Sequence, residues 1–533
     1  MKLANLLALF VLSTTAWAGF GVKTGEKHYT VDTGAGLVFS VLQSSGSITS
    51  IKLHGTELHG PKSSGIASGL GPEGTKTMLS VNDQQIVITV ATDAANEVAQ
   101  NLTHYYIVRK GENTIYMATH AEKEPNVGEL RWITRLKSAP FPSAPKGSDL
   151  RGTTGAIESS DVFGFADKTS RSKYYGNERA MDLDIRGVTG KGVGVFMVYG
   201  SRESSAGGPF FRDIQNQTGE NNAEVYNYMN SGHNQTEPNR LGVLHGPYAL
   251  VFTDGSTPAA PDMSFIAQLD LKGYVSADKR GSVKLEALHG CDAKHDYLIG
   301  LSNKDAQYWA KADKPCSGVK PGNYTLQIYK GELMVHTAAV TVKAGETTIL
   351  PAITITRDPA QTNALWRIGD WDGTPLEFRN GGKISMMHPS DVRQAKWVTG
   401  DFTIGTSPLA DFPAYQWMRV NGTQTVKFSL TREQLRNYSV RIGLSASFAG
   451  ARPRLAMNSW TSKLQKNSAQ PDSRSITIGT YRGNNATHSF SVPASAFVEG
   501  VNTLKISVVS GRSAEGFLSP GYAIDCIDLC PQK

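Results

Sequence analysis

The feature that most constrains this chain is the way its β-prone runs are punctuated. Stretches rich in Val, Ile, Thr, Tyr and Phe recur from Tyr29 to Val509, and Gly, Asn or Ser cuts each one short. Runs of roughly four to eight residues are strand-sized rather than helix-sized, and their apolar–polar alternation suits sheets that bury one face. Glycine supplies 54 of 533 residues and charged side chains only 19%, a balance that favours turn-rich β-sandwiches over helical bundles. A chain this long exceeds what one hydrophobic core holds, so about three domains are expected. The fold class is read as all-β.

The first residues read as a secretory signal. Lys2 gives a positive start, residues 6–12 an apolar stretch, and Ala16-Trp17-Ala18 a cleavage site. Residues 1–18 are therefore expected to be removed and the remainder secreted. No later run of about eighteen apolar residues occurs, and no membrane partner is expected. Residues 19–272 read as one large β domain, with strands expected at 85–92, 105–109, 114–118, 194–198 and 249–253. Between about 140 and 240 the pattern loosens into Gly-, Asn-, Arg- and Tyr-rich stretches, the kind of long loops that carry function. Residues 273–357 suit a fibronectin type III-like sandwich. Residues 358–533 suit a jelly roll, with strands expected at 425–430, 439–444, 475–478, 489–492 and 503–509.

The formal net charge of +7 suits an anionic partner such as a polyuronide, an ordinary basic surface being the competing reading. No Lys/Arg block or nucleic-acid motif is present, so no nucleic acid partner is expected. Four cysteines, Cys291, Cys316, Cys526 and Cys530, allow two disulfides in an oxidising compartment. Cys291 with Cys316 is the more plausible local pair. Cys526 and Cys530 would lie about 13 Å apart on a regular strand, too far to bridge. Glycosylation triplets occur at Asn101, Asn216, Asn234, Asn323, Asn421, Asn437 and Asn485. Asn234 is expected to be unmodified, because a glycan beside His233 would block a groove there.

Several catalytic signatures are missing: no G-x-S-x-G, Walker A or H-E-x-x-H occurs. Gly69-Leu-Gly71-Pro-Glu-Gly74 matches a dinucleotide fingerprint by letter, but Pro72 and the lack of a βαβ context make it a turn. His289, Cys291 and His295 read as exposed side chains rather than a metal site. No metal is expected in catalysis. Asp370 and Asp372, in Gly-Asp-Trp-Asp-Gly, leave room for a structural calcium, with a plain turn as the default.

Three clusters remain. Ser170-Arg171-Ser-Lys173-Tyr174-Tyr175 joins cations to aromatic rings, as a sugar platform or a solvated loop would. In Tyr226-Asn-Tyr228, alternation puts both rings on one face, and His233 follows a flexible Ser-Gly. Arg131 and Arg135 share strand parity and can project into one groove, with ordinary ion pairing as the alternative.

These segments together resemble the fungal rhamnogalacturonan lyases of polysaccharide lyase family 4. The matching runs include Ile66-Ala-Ser-Gly-Leu-Gly, Gly128-Glu-Leu-Arg-Trp-Ile-Thr-Arg-Leu, Thr169-Ser-Arg-Ser-Lys-Tyr-Tyr and Tyr228-Met-Asn-Ser-Gly-His-Asn-Gln-Thr-Glu. Gly369-Asp-Trp-Asp-Gly-Thr-Pro, Met387-His-Pro-Ser-Asp and Ser447-Phe-Ala-Gly-Ala-Arg-Pro follow in the same order. The resemblance implies a mutarotase-like β-sandwich, a fibronectin type III-like domain and a jelly roll like those of carbohydrate-binding modules. It implies Lys173 and His233 as the catalytic pair, and Arg131, Arg135, Tyr226, Tyr228 and Arg452 as substrate-binding residues. The implied partner is rhamnogalacturonan I, cleaved by an endolyase at its rhamnose-α-1,4-galacturonate bond, and a monomer needing no cofactor is expected. The family's cysteine pattern differs, so no disulfide is carried over.

Such an elimination removes the C5 proton of galacturonate and expels the oxygen at C4. It needs a neutral base, an acid, and positive charge to offset the growing enolate. Lys173 would serve as base if Arg131, Arg135 or Arg171 and burial eased loss of its proton. His233 would then protonate the leaving oxygen, although residue types alone leave this division open. Two alternatives stand beside it: a pectin glycoside hydrolase using two of Glu158, Asp161, Asp213 and Glu237, and a wall-binding protein that performs no chemistry.

Overall fold

The computed structural model describes residues 19–532 apart from 127, 234–236, 469, 471–473 and 481–482. The expected signal (1–18) and the Asn234 triplet lie outside the described residues. The rest is almost entirely β, in three sandwiches in chain order.

The first unit holds a five-stranded meander that begins at Gly21–Thr24, and an antiparallel seven-stranded sheet running from Ile185–Gly190 to Thr75–Val81. It also holds a four-stranded sheet ordered Asn216–Thr218, Asn222–Asn230, Leu130–Lys137, Gly65–Ile66. That last sheet explains where a site can form. On Leu130–Lys137, Leu130, Trp132 and Leu136 join the main core, while Ile133 joins a separate aromatic cluster on the opposite face. On Asn222–Asn230, Ala223, Val225 and Met229 enter the core, and Tyr226 and Tyr228 lie with Ile133. A period of two thus sends one set of side chains inward and leaves the other on a second face. A slip of one residue would drive Arg131 and Arg135 into the core, so burial of Trp132 fixes the register that exposes them.

The second unit packs the sheet Gln307–Lys311, Tyr297–Ser302, Gly322–Lys330, Leu333–Val342 against the sheet Cys316–Val319, Gly281–Leu285, Thr347–Leu350. Its core takes in Trp371 and Cys526 from the third unit, which ties those two together. The third unit is a sandwich whose sheets centre on Gly521–Pro531 and Gly500–Val509.

Two expectations change, and the glycosylation triplets are narrowed. Residues 475–478 form one helical turn, Ser475–Ile478, instead of a strand. Gly479, at φ 68°, closes it in the left-handed conformation that favours glycine. The four cysteines are free thiols, and the local pair Cys291–Cys316 does not form. Cys316 points into the second core while Cys291 sits on an exposed turn; burial pushes the Cys316 thiol up to about 12. Among the glycosylation triplets, Asn216 and Asn421 are buried. Asn421 Nδ2 also donates to Tyr415 O at 2.8 Å, so neither residue can carry a glycan in the folded chain.

Candidate active site

The site lies on the face opposite Trp132. Arg131 pairs in register with Tyr228, Ile133 with Tyr226 and Arg135 with Glu224, so two cations and two rings line up across neighbouring strands. The Tyr226 and Tyr228 rings stack with centroids 5.9 Å apart. Arg131 Nη1 donates to Tyr228 Oη at 3.0 Å, and its guanidinium lies over that ring. The turn after Gly65–Ile66 completes this edge. Ala67 and Ser68 both hold positive φ, a costly conformation for residues with a Cβ. It brings Ser68 Oγ to 3.1 Å from Arg131 Nη2 and 3.5 Å from Arg135 Nη2.

Neither arginine is a bare charge. Arg131 pairs closely with Glu129, and Arg135 Nε stands 3.4 Å from Glu224, which also accepts the Tyr226 hydroxyl. The two fixed charges expected from parity are present, each with a carboxylate of its own.

His233 sits where the Asn222–Asn230 strand ends. Its Nε2 is 2.9 Å from Glu129 and its Nδ1 3.2 Å from Asp213. With a carboxylate at each nitrogen, both contacts act as hydrogen bonds only when both nitrogens carry hydrogen. Tyr174 meets the imidazole edge to face at 5.4 Å. The same Tyr174 ring lies 5.6 Å from Lys173 Nζ, so one tyrosine touches both members of the expected catalytic pair.

Lys173 follows the short strand Ser170–Ser172, the last of a three-stranded sheet. Its Nζ pairs with Asp161 at 2.8 Å, and the other Asp161 oxygen takes Arg474 at 2.8 Å. Burial tends to raise the Asp161 carboxyl, but the hydrogen bonds and charges of Lys173 and Arg474 outweigh it and hold the group below its usual range. Arg474 also reaches Glu158 at 2.8 Å. The expected help from Arg171 is absent: that side chain donates to Ser170 O and lies over Phe165.

The third unit holds the Lys173 segment in place. Asp391 accepts from both the backbone N and Oγ of Ser170, each at 2.7 Å. Tyr175 Oη donates to Thr477 O at 2.9 Å, and Gly176 N to Ser385 O at 2.9 Å. Arg452 is not part of this contact. Among the described residues its side chain donates to Gln465 O and Gly450 O, within the third unit. Arg474 is the third-unit arginine that meets the Lys173 cluster. Nothing in Pro-Asp-Ser-Arg-Ser marked it, because its partners lie over 300 positions earlier.

Burial, with the nearby Asp213 or Glu224, pushes the phenols of Tyr174, Tyr226 and Tyr228 well above their ordinary value, so they act here as neutral rings and hydrogen-bond donors. The carboxylates proposed for a hydrolase are engaged elsewhere: Asp161 and Glu158 as above, Asp213 with His233, and Glu237 with Arg240 at 2.9 Å. Asp372 caps its own turn, accepting from Thr374 N and Oγ1. Among the described residues no group of three His, Cys, Asp or Glu is arranged to hold a metal.

Comparison with known proteins gives three family matches in chain order. Residues 20–273 match the N-terminal model of rhamnogalacturonan lyase B, 280–350 match domain II of polysaccharide lyase family 4, and 364–529 match domain III of that family. A probable rhamnogalacturonate lyase A of Aspergillus clavatus is 42% identical, with 98% of each chain covered. Rhamnogalacturonate lyase A of Aspergillus aculeatus is 41% identical over 99% of this chain and 100% of its own. That of Emericella nidulans is 41% identical over 98% of each.

Proposed function

This chain belongs to the rhamnogalacturonate lyases of polysaccharide lyase family 4, and from that premise we propose that it is a secreted endolyase cutting the rhamnose-α-1,4-galacturonate bond of rhamnogalacturonan I. In this reading the galacturonate carboxylate meets Arg131 and Arg135, whose own carboxylates orient them. Lys173 removes the C5 proton, and His233 protonates the departing C4 oxygen. Arg474 shares Asp161 with Lys173, so the carboxylate that positions the lysine is itself held from the third unit. The charge that grows on the enolate is offset by fixed guanidinium groups, so the step calls on no cofactor.

The observation that carries this reading is Tyr174, which contacts Lys173 and His233 together, while Tyr228 joins His233 to Arg131. The carboxylate pairings described above also weigh against a hydrolase, which needs one carboxyl kept protonated as an acid. The test is incubation with purified rhamnogalacturonan I, followed by ultraviolet absorbance and product mass. An unsaturated galacturonate at the new non-reducing end, with an early fall in polymer length, is expected. Saturated ends would point to hydrolysis, and intact polymer to binding alone.

A further inference from the structure

The seam between the first two units holds features that the elimination does not use. Along it runs the strand Gln307–Lys311, whose Trp309 is half-buried and packs against the aromatic cluster that includes Tyr174, Tyr226 and Tyr228. On one side Trp309 lines a cavity of about 190 Å³ with Glu237 and Gln327. On the other it lines a cavity of about 330 Å³ together with Ser201, Arg202, Asp184 and Ser317. The larger space falls within the range of small-ligand pockets, and it combines one aromatic wall with a few polar groups.

Arg202 is the unusual member. Its guanidinium lies 4.6 Å over the Tyr199 ring, and its buried Nε has no hydrogen-bond partner among the described residues. Burial pulls it below the ordinary arginine value, with Tyr199 and Asp184 offering only through-space support. Arg280, on the same cavity wall, is different: it forms a two-pronged pair with Glu203 at 2.5 and 3.1 Å. Glu203 also takes Lys320 at 2.9 Å, so this neighbouring group keeps an excess positive charge and lends Arg202 no carboxylate. A half-buried cation whose Nε is enclosed and unpaired gains from an anion that supplies a partner.

We propose that this crevice is a second uronate subsite, in which Arg202 binds the carboxylate of a galacturonate residue and the sugar ring lies against Trp309. The occupant is a further galacturonate of the same anionic chain, because Trp309 adjoins the aromatic floor of the catalytic groove. The proposal rests on the polysaccharide lyase reading for its ligand class, and it gives the fibronectin type III-like unit a direct part in holding polymer.

The test uses the full chain and two probes, D-galacturonate and neutral D-galactose, followed by saturation-transfer NMR. An Arg131→Ala background weakens uronate binding in the catalytic groove, so the remaining galacturonate signal reports the crevice. Adding Arg202→Gln is expected to weaken that remaining binding about tenfold or more, while Arg202→Lys retains part of it and D-galactose binds poorly throughout. In otherwise native protein, Arg202→Gln is expected to raise KM for the polymer several-fold and leave kcat within about twofold. If Arg202→Gln lowers the melting temperature, Trp309→Ala carries the same comparison from a half-exposed position. Equal galacturonate binding with and without Arg202, or no binding left once Arg131 is removed, would overturn the proposal. Failure of the lyase reading would show separately, as wild-type protein yielding no unsaturated product.

Discussion

The two halves of the site are built in different ways. His233 stands at the edge of a single sheet, and its partners Glu129, Asp213, Tyr228 and, through them, Arg131 all belong to the first unit. Lys173 stands on a short hairpin that the third unit clamps through Asp391, Ser385, Thr477 and Arg474. The His233 half is therefore part of a domain core, whereas the Lys173 half is assembled when two domains dock. Local register fixes the first, and long-range contact fixes the second. A polymer-degrading enzyme with this layout can lose catalysis through a weakened domain contact while its sugar-binding face survives.

This contrast can be broken or sharpened by mutation. His233→Ala should lower turnover by about 10²–10⁴, the usual worth of a general acid, and leave the melting temperature nearly unchanged, as measured by steady-state kinetics and calorimetry. Arg474→Ala should lower kcat by roughly 10- to 100-fold, because Asp161 is then left to Lys173 alone. Oligosaccharide affinity should hold, since the arginines and tyrosines of the His233 half are untouched; a loss of affinity with unchanged kcat would reverse the assignment.

Acidification should separate the halves as well. Burial tends to raise the Asp391 carboxyl, but its hydrogen bonds to Arg393 and Ser170 hold it down at about 2, against an unfolded value of 3.8. Its contribution is thus fully present above pH 3.8 and lost as pH falls through 2. That contribution is about 1–2 kcal/mol, allowing for solvent screening. Hydrogen exchange in residues 170–176 should rise over that window in the native protein, and in Asp391→Asn it should already be raised at neutral pH. The smallest effect is expected from Arg452→Ala, whose contacts stay within the third unit: turnover should change by less than about twofold.

What the sequence reveals follows the same division. Alternation on Leu130–Lys137 and Asn222–Asn230 already puts Arg131 with Arg135 and Tyr226 with Tyr228, because a strand's parity is local. The strands at 85–92 and 503–509 were legible for the same reason. The clamp on Lys173 was not: Ser170 and Asp391 are 221 positions apart, and Glu158 and Arg474 are 316 apart. No local pattern announces such a pair. The alternation of Ile476 and Ile478 suggested a strand, yet Gly479 and the packing of this segment on the third unit's sheet made it a helical turn. Arg452 was favoured by a matching run, and only three-dimensional contact shows that Arg474, from the same unit, meets the Lys173 cluster.

The central claim is that Lys173, held by the docked third unit, is the base of a β-elimination. Its most direct test is Lys173→Ala, with binding of rhamnogalacturonan I and release of unsaturated product measured on the same preparation. Near-native binding with no ultraviolet-absorbing product is the expected result. Unsaturated product formed at a rate close to that of the native protein would contradict it.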